Sequence, residues 1–171
     1  MTIERLTPDQ AEASLADLVL LLTDSVESGA SVGFLPPVTE SQAVEYWRDV
    51  IASLRAGNRA LLVAIEDDNT LAGAVQVDFA SKANALHRAE VQKLMVRTDQ
   101  RGHGLGRALM DAVENVARES GRSLLVLETR QGDIAEQLYL SLGYTLAGVI
   151  PEYASSANGE LHSTSLFYKQ L

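Results

Sequence analysis

Residues 88–107 read RAEVQKLMVRTDQRGHGLGR, and the fold turns on how that stretch divides. Ala89 to Val96, whose apolar residues include the β-branched Val91 and Val96, predicts a strand. Arg101-Gly102-His103-Gly104-Leu105-Gly106 is a glycine-rich turn. Beyond it, Leu105, Leu109, Val113 and Val116 recur at helical spacing, with Gly121 past the end. Glycines let a backbone approach a ligand closely, and the first N–H groups of a helix have no partner within it, so strand, turn and helix together make a phosphate site. The local charge agrees. Arg88, Lys93, Arg97, Arg101 and Arg107 stand against Glu90 and Asp99, in a chain whose formal net charge is -9. A P-loop is excluded, because Arg107 and Ala108 stand where lysine and a hydroxyl residue belong. A dinucleotide fingerprint is disfavoured, because an arginine occupies the place of its third glycine.

Working outward, Leu124 to Leu127 predicts a short, wholly apolar strand, and Ala135 to Leu142 a helix closed by Gly143. Thr145 to Val149 and Ser165 to Tyr168 supply two last strands, joined through the polar loop Ala154 to Glu160. Towards the N-terminus, Leu61 to Ile65 and Leu71 to Phe79 predict a hairpin turning at Asp67-Asp68-Asn69. Two helices precede it. One starts at the cap Thr7-Pro8-Asp9-Gln10 and runs through Leu15, Leu18, Leu22 and Val26 to Gly29. The other has Thr39 and Gln42 as its capping pair, Val44, Trp47, Ile51 and Leu54 on one face, and Gly57 as its stop. Between them Gly29 to Pro37 (GASVGFLPP) is a turn-rich loop carrying Phe34. The order predicts one α/β domain over residues 1–171, with a mixed sheet, a central parallel crossover and helices on both faces.

Composition narrows the function. The chain has no cysteine, which removes disulfides, thiolate metal sites and a cysteine nucleophile together. Its three histidines, His87, His103 and His162, show no ligand spacing, so no metal is expected. The net charge of -9 disfavours nucleic acid and suits a cationic small molecule. Apolar runs such as Leu18 to Leu22 are too short to span a bilayer, and Glu4 and Asp9 sit where a signal peptide would be basic. A cytoplasmic protein without membrane contact is the expectation.

The turn matches R/Q-x-x-G-x-G/A at Arg101, Gly104 and Gly106, and so resembles the pyrophosphate motif of the GCN5-related (GNAT) N-acetyltransferases. Leu94-Met95-Val96 is similar to that family's strand, whose backbone pairs with the pantetheine arm of acetyl-CoA. Ala135 to Tyr144 (AEQLYLSLGY) looks like its later helix, in which a tyrosine approaches the coenzyme sulfur. A closer resemblance, to the tabtoxin-resistance acetyltransferases, runs through Gly29 to Phe34, Arg88 to Val96, Gly102 to Gly106, Gly159 to His162 and Phe167-Tyr168. The resemblance implies a GNAT-like, mostly antiparallel sheet. It implies acetyl-CoA as co-substrate, held by Leu94, Met95, Val96 and Arg101 to Arg107 (Gly102, His103, Gly104, Leu105 and Gly106 between), and it makes a homodimer plausible. One position departs. Many members carry an asparagine seven residues before the tyrosine, where this chain has Gly132.

An amine attacking a thioester must lose a proton, and the departing thiolate must gain one. Glu90, in the strand before the turn, and Glu128, after the next apolar strand, are the candidate bases, because a parallel crossover makes those strands neighbours. The competing reading pairs each with Arg88 or Arg130. Tyr139 is the candidate general acid by resemblance, against a core role alongside Ala135, Leu138 and Leu142. Phe34 is the acceptor-pocket candidate, because its loop has no core periodicity to explain it, whereas Trp47 falls on an apolar helix face. The expected acceptor is a small-molecule amine, such as a β-lactam toxin or antibiotic. A protein lysine or N-terminal amine, or an acetyl-CoA-binding module without catalysis, are the open alternatives.

Overall fold

Both predicted capping boxes form in the structure, a computed structural model of the chain. The Thr7 and Thr39 hydroxyls accept from the N–H groups of Gln10 and Gln42, whose side chains accept in return from the threonine N–H groups. They start α1 (Pro8–Ala13) and α3 (Glu40–Arg55). The first predicted helix is in fact two. Ser14, at φ -94° and ψ 10°, leaves helical geometry and separates α1 from α2 (Leu15–Glu27). A strand absent from the sequence reading, β1 (Thr2–Arg5), precedes them.

The strands that follow are β2 (Arg59–Ile65), β3 (Leu71–Phe79), β4 (Arg88–Val96) and β5 (Leu124–Arg130), then β6 (Thr145–Ser155) and β7 (Leu161–Gln170). Helix α4 (Leu105–Glu119) carries the crossover between β4 and β5, and α5 (Ile134–Ser141) follows β5. They form one seven-stranded sheet in the order β1-β2-β3-β4-β5-β7-β6, antiparallel except where β4 meets β5. Three strands outrun their predicted bounds by more than two residues. β5 continues through Glu128 to Arg130, and the last two strands extend into the expected loop as an eleven- and a ten-residue hairpin.

Burial follows the alternation of the strands. Leu62, Ala64, Val75, Val77, Ala89, Val91, Leu125, Leu127 and Phe167 face α4 and Tyr139 in one core. Leu61, Val63, Ala74 and Met95 face α1 to α3 in the other, around a fully buried Trp47. The residues between those of the first core, among them Glu90 and Glu128, therefore project to the α1–α3 side. There the three helices cover the β1–β4 half of the sheet. No helix is long and apolar enough to cross a membrane.

Candidate active site

The parallel pairing of β4 with β5 runs only from Arg88↔Leu124 to Glu90↔Val126. Past Glu90 the two strands diverge, β4 staying on β3 while β5 stays on β7. The divergence coincides with a bulge. Gln76 pairs with Gln92 and Ala74 with Met95, so Lys93 and Leu94 together oppose Val75, and Lys93 takes a φ of 53°. The outcome is a slot through the sheet. Cavities of about 460 Å³ and 360 Å³ occupy it and join at Ala30, Leu94, Asp133 and Ala135.

The first cavity lies over the glycine turn, lined by Leu94, Met95, Val96, Arg101, Gly102, Gly104, Leu105, Gly106 and Arg107. The main-chain N–H groups of Arg101 through Arg107 take no acceptor from the chain, and the first helical bond runs from Ala108 N–H to the Gly104 carbonyl at 3.1 Å. This is the donor array that an anion at a helix N-terminus requires, and it fits a pyrophosphate. Gly102 and Gly104 hold φ of 82° and 83°, the left-handed region that glycine enters freely. Arg101 donates from Nε to the Val96 carbonyl at 3.1 Å and from a terminal nitrogen to Ser28 at 2.7 Å, so it ties the turn to β4 and α2. Arg107 is tied to Ser141 at 2.6 Å. Met95 is 2% exposed with its side chain in the α1–α3 core, leaving only its backbone to the slot. His103 is exposed at the edge, its ring against the Gln100 carbonyl.

Gly132, which stands seven residues before Tyr139, has a φ of 81°, open space where a Cβ would lie, and an N–H donated to Glu136.

The second cavity brings Glu90, Glu128 and Tyr139 together. Neither glutamate pairs with Arg88 or Arg130. Glu90 instead accepts from Gln92 Nε2 at 3.0 Å, and Glu128 from the Tyr153 hydroxyl at 2.8 Å. Tyr153 sits beside a register shift in β6, where Glu152 has a φ of 52°. Its phenol is pushed upward, first by that hydrogen bond and then by the Glu128 charge. Tyr139 reaches the cavity from the α4–α5 side. Its ring lies 5.9 Å from Tyr144 and 6.0 Å from Phe167, so it is a core aromatic whose ring also borders the slot. Burial, with the nearby Asp133 charge, raises its pKa to about 12, which keeps the phenol protonated at neutral pH.

A third cavity, of about 670 Å³, continues outward between the 29–37 loop and the β6–β7 hairpin, sharing Ala30, Ser31, Gly33, Arg130 and Ala154 with the second. Phe34 lines this outer space and not the slot. It is half-buried, edge-on to Tyr46 at 5.2 Å. Tyr46 is fixed in turn by Gln76, which also takes a hydrogen bond from Arg59.

Two site residues escaped the sequence reading. Lys93 counted there only as one more cation near the turn, yet the bulge places it in the second cavity. Arg130 figured only as a partner for the glutamates, yet it lines the second and third cavities.

Residues 29–144 match the model of the Acetyltransferase (GNAT) family. An uncharacterized N-acetyltransferase from the hisH-hisA intergenic region of Azospirillum brasilense is 31% identical over 133 residues, covering 77% of this chain and 76% of that protein. Among solved structures, a ribosomal-protein-alanine N-acetyltransferase from Brucella melitensis superimposes with a TM-score of 0.82 at 22% identity, over all of both chains. The Salmonella typhimurium protein yncA, solved with its cofactor acetyl-CoA, superimposes with a TM-score of 0.81 at 21% identity, over 100% of this chain and 94% of that one. The two structures share the fold. The family model and the Azospirillum relative carry the assignment: this chain belongs to the GNAT family and is an N-acetyltransferase.

Proposed function

We propose that the protein transfers the acetyl group of acetyl-CoA to a primary amine of a small molecule by direct attack of the amine on the thioester. The observation that carries this reading is the continuity of the anion-binding turn with a cavity lined by Glu90, Glu128 and Tyr139. Acetyl-CoA supplies the activated acetyl group. The unpartnered N–H groups of residues 101–107 receive its pyrophosphate, and the free side of β4 at Leu94 to Val96 lies along its path to the slot. One of Glu90 and Glu128 takes the proton from the attacking amine, and the protonated Tyr139 hydroxyl returns one to the departing sulfur. A small acceptor is favoured over a protein because the 29–37 loop and the β6–β7 hairpin flank the acceptor side. The likeness of residues 29–34 and 88–96 to the tabtoxin-resistance enzymes makes β-lactam amino-acid toxins a first acceptor class to try.

Thiol release from acetyl-CoA across a panel of small amines tests the proposal, and a chain without cysteine adds no thiol of its own. Turnover on small amines is expected, with Glu90→Gln or Glu128→Gln lowering it at saturating substrate. Acetyl-CoA binding with no turnover on any small amine would overturn it.

A further inference from the structure

The acceptor region contains cations that the acid–base reading leaves unused. Lys93 projects from the bulge towards the 29–37 loop, its Nζ 2.9 Å from the point where a Cβ on Gly33 would lie. It lines the second cavity, half-buried, with neither an ion pair nor a hydrogen bond within the chain. Burial pulls its pKa down, against the opposing attraction of Glu128 and Glu90. Leaving an ammonium partly desolvated without a partner is costly, and a bound anion removes that cost. Arg130 ends β5, is likewise half-buried and unpaired, and lines the same cavity and its outward continuation. Glu90 and Glu128 face the cavity as well, so both charge signs are displayed in one space.

A simple cationic amine entering this space is drawn to the glutamates but repelled by Lys93 and Arg130. A molecule carrying an ammonium and a carboxylate satisfies both sets. We infer that the acceptor is zwitterionic, its amine lying by Glu90 and Glu128 and its carboxylate held by Lys93 and Arg130. This narrows the expectation drawn from net charge alone, which pointed to a cation of any kind. It rests on the small-molecule reading above. Lys93 and Arg130 are then the residues that set acceptor specificity, and neither takes part in proton transfer.

The test compares acceptors that share an amine and differ in the acid group, such as L-lysine with L-lysinamide and 4-aminobutyrate with 4-aminobutyramide. The wild-type enzyme should prefer the carboxylate member by about 10- to 100-fold in kcat/KM, the range of a charge-assisted hydrogen bond. Lys93→Met and Arg130→Met should each raise KM for that member with little change in kcat. The amides should be used better in both variants, because the cation that repels them is gone; the KM for acetyl-CoA should stay unchanged, and Lys93→Arg should restore part of the preference. An unchanged melting-temperature rise with acetyl-CoA shows that a variant is folded. Equal wild-type rates on both members of every pair would overturn the inference while leaving acetyl transfer to small amines intact, as would variants that lose both members alike. Absence of turnover on every small amine, with a peptide amine accepted, would overturn both readings.

Discussion

At Tyr139 one side chain serves packing and chemistry through the same physical cause. Burial against Tyr144 and Phe167 makes it part of the core, and that burial raises the phenol pKa to about 12. Tyr139→Phe keeps the ring and removes the proton. It should leave acetyl-CoA binding intact while slowing turnover by ~10²–10⁴, measured under saturating substrates. A full rate in that variant would reduce the residue to packing. The same shift has a stability signature. A pKa raised from 10.0 means the fold prefers the protonated phenol, so this contribution is whole below pH 10 and fades as pH rises through about 12. Tyr139→Phe should therefore soften the alkaline loss of stability by at most about 3 kcal/mol, read from denaturant midpoints between those two pH values. Tyr144, shifted in the same direction by burial, goes on losing stability in the variant.

At the scale of elements, the glycine turn ahead of α4 gives the clearest test. Gly104 starts the helix at φ 83°, with open space where a Cβ would stand, so alanine there suffers backbone strain and no clash. Gly104→Ala should cost about 1–2 kcal/mol, and should raise the KM for acetyl-CoA more than it lowers kcat. An unchanged KM would remove the turn from the anion site. This element was legible because glycine spacing and helical periodicity are local signals, as were the capping pairs at Thr7 and Thr39. β1 was not, since its four residues carry one half-buried side chain, Ile3, and no alternation. Nor were the ends of β6, nearly every residue of which is exposed, so that hydrogen bonding to β7 alone keeps it extended. The site divided along the same line. Glu90, Glu128 and Tyr139 could be placed from strand order and resemblance. Lys93 entered the cavity through a bulge, a pairing irregularity that no run of residues announces.

For the molecule as a whole, cohesion depends on joining helices to the C-terminal half of the sheet. Lys169 of β7 does this by donating to Glu114 of α4 and, at 2.7 Å, to the Leu142 carbonyl at the end of α5. Glu114 is 7% exposed and its other cation, Arg118, is half in solvent. Lys169→Met should destabilise by about 1–3 kcal/mol, because Glu114 then keeps only the partly exposed Arg118, whereas Lys169→Met with Glu114→Leu should recover most of that loss. Equal losses in the two variants would contradict this, and urea midpoints distinguish the cases. The widest consequence belongs to the short β4–β5 seam. Beyond Glu90, β4 is a sheet edge in the interior, where most proteins keep theirs at the rim and blunt them with charge. A neighbouring folded molecule must pass the 29–37 loop and α5, which line the cavity along that edge, to dock an extended segment there. The hazard is released only when those lids loosen. Heat-induced aggregation should then track local opening, not global melting, and coenzyme A occupying the berth should delay turbidity even at temperatures where the melting curve is still flat.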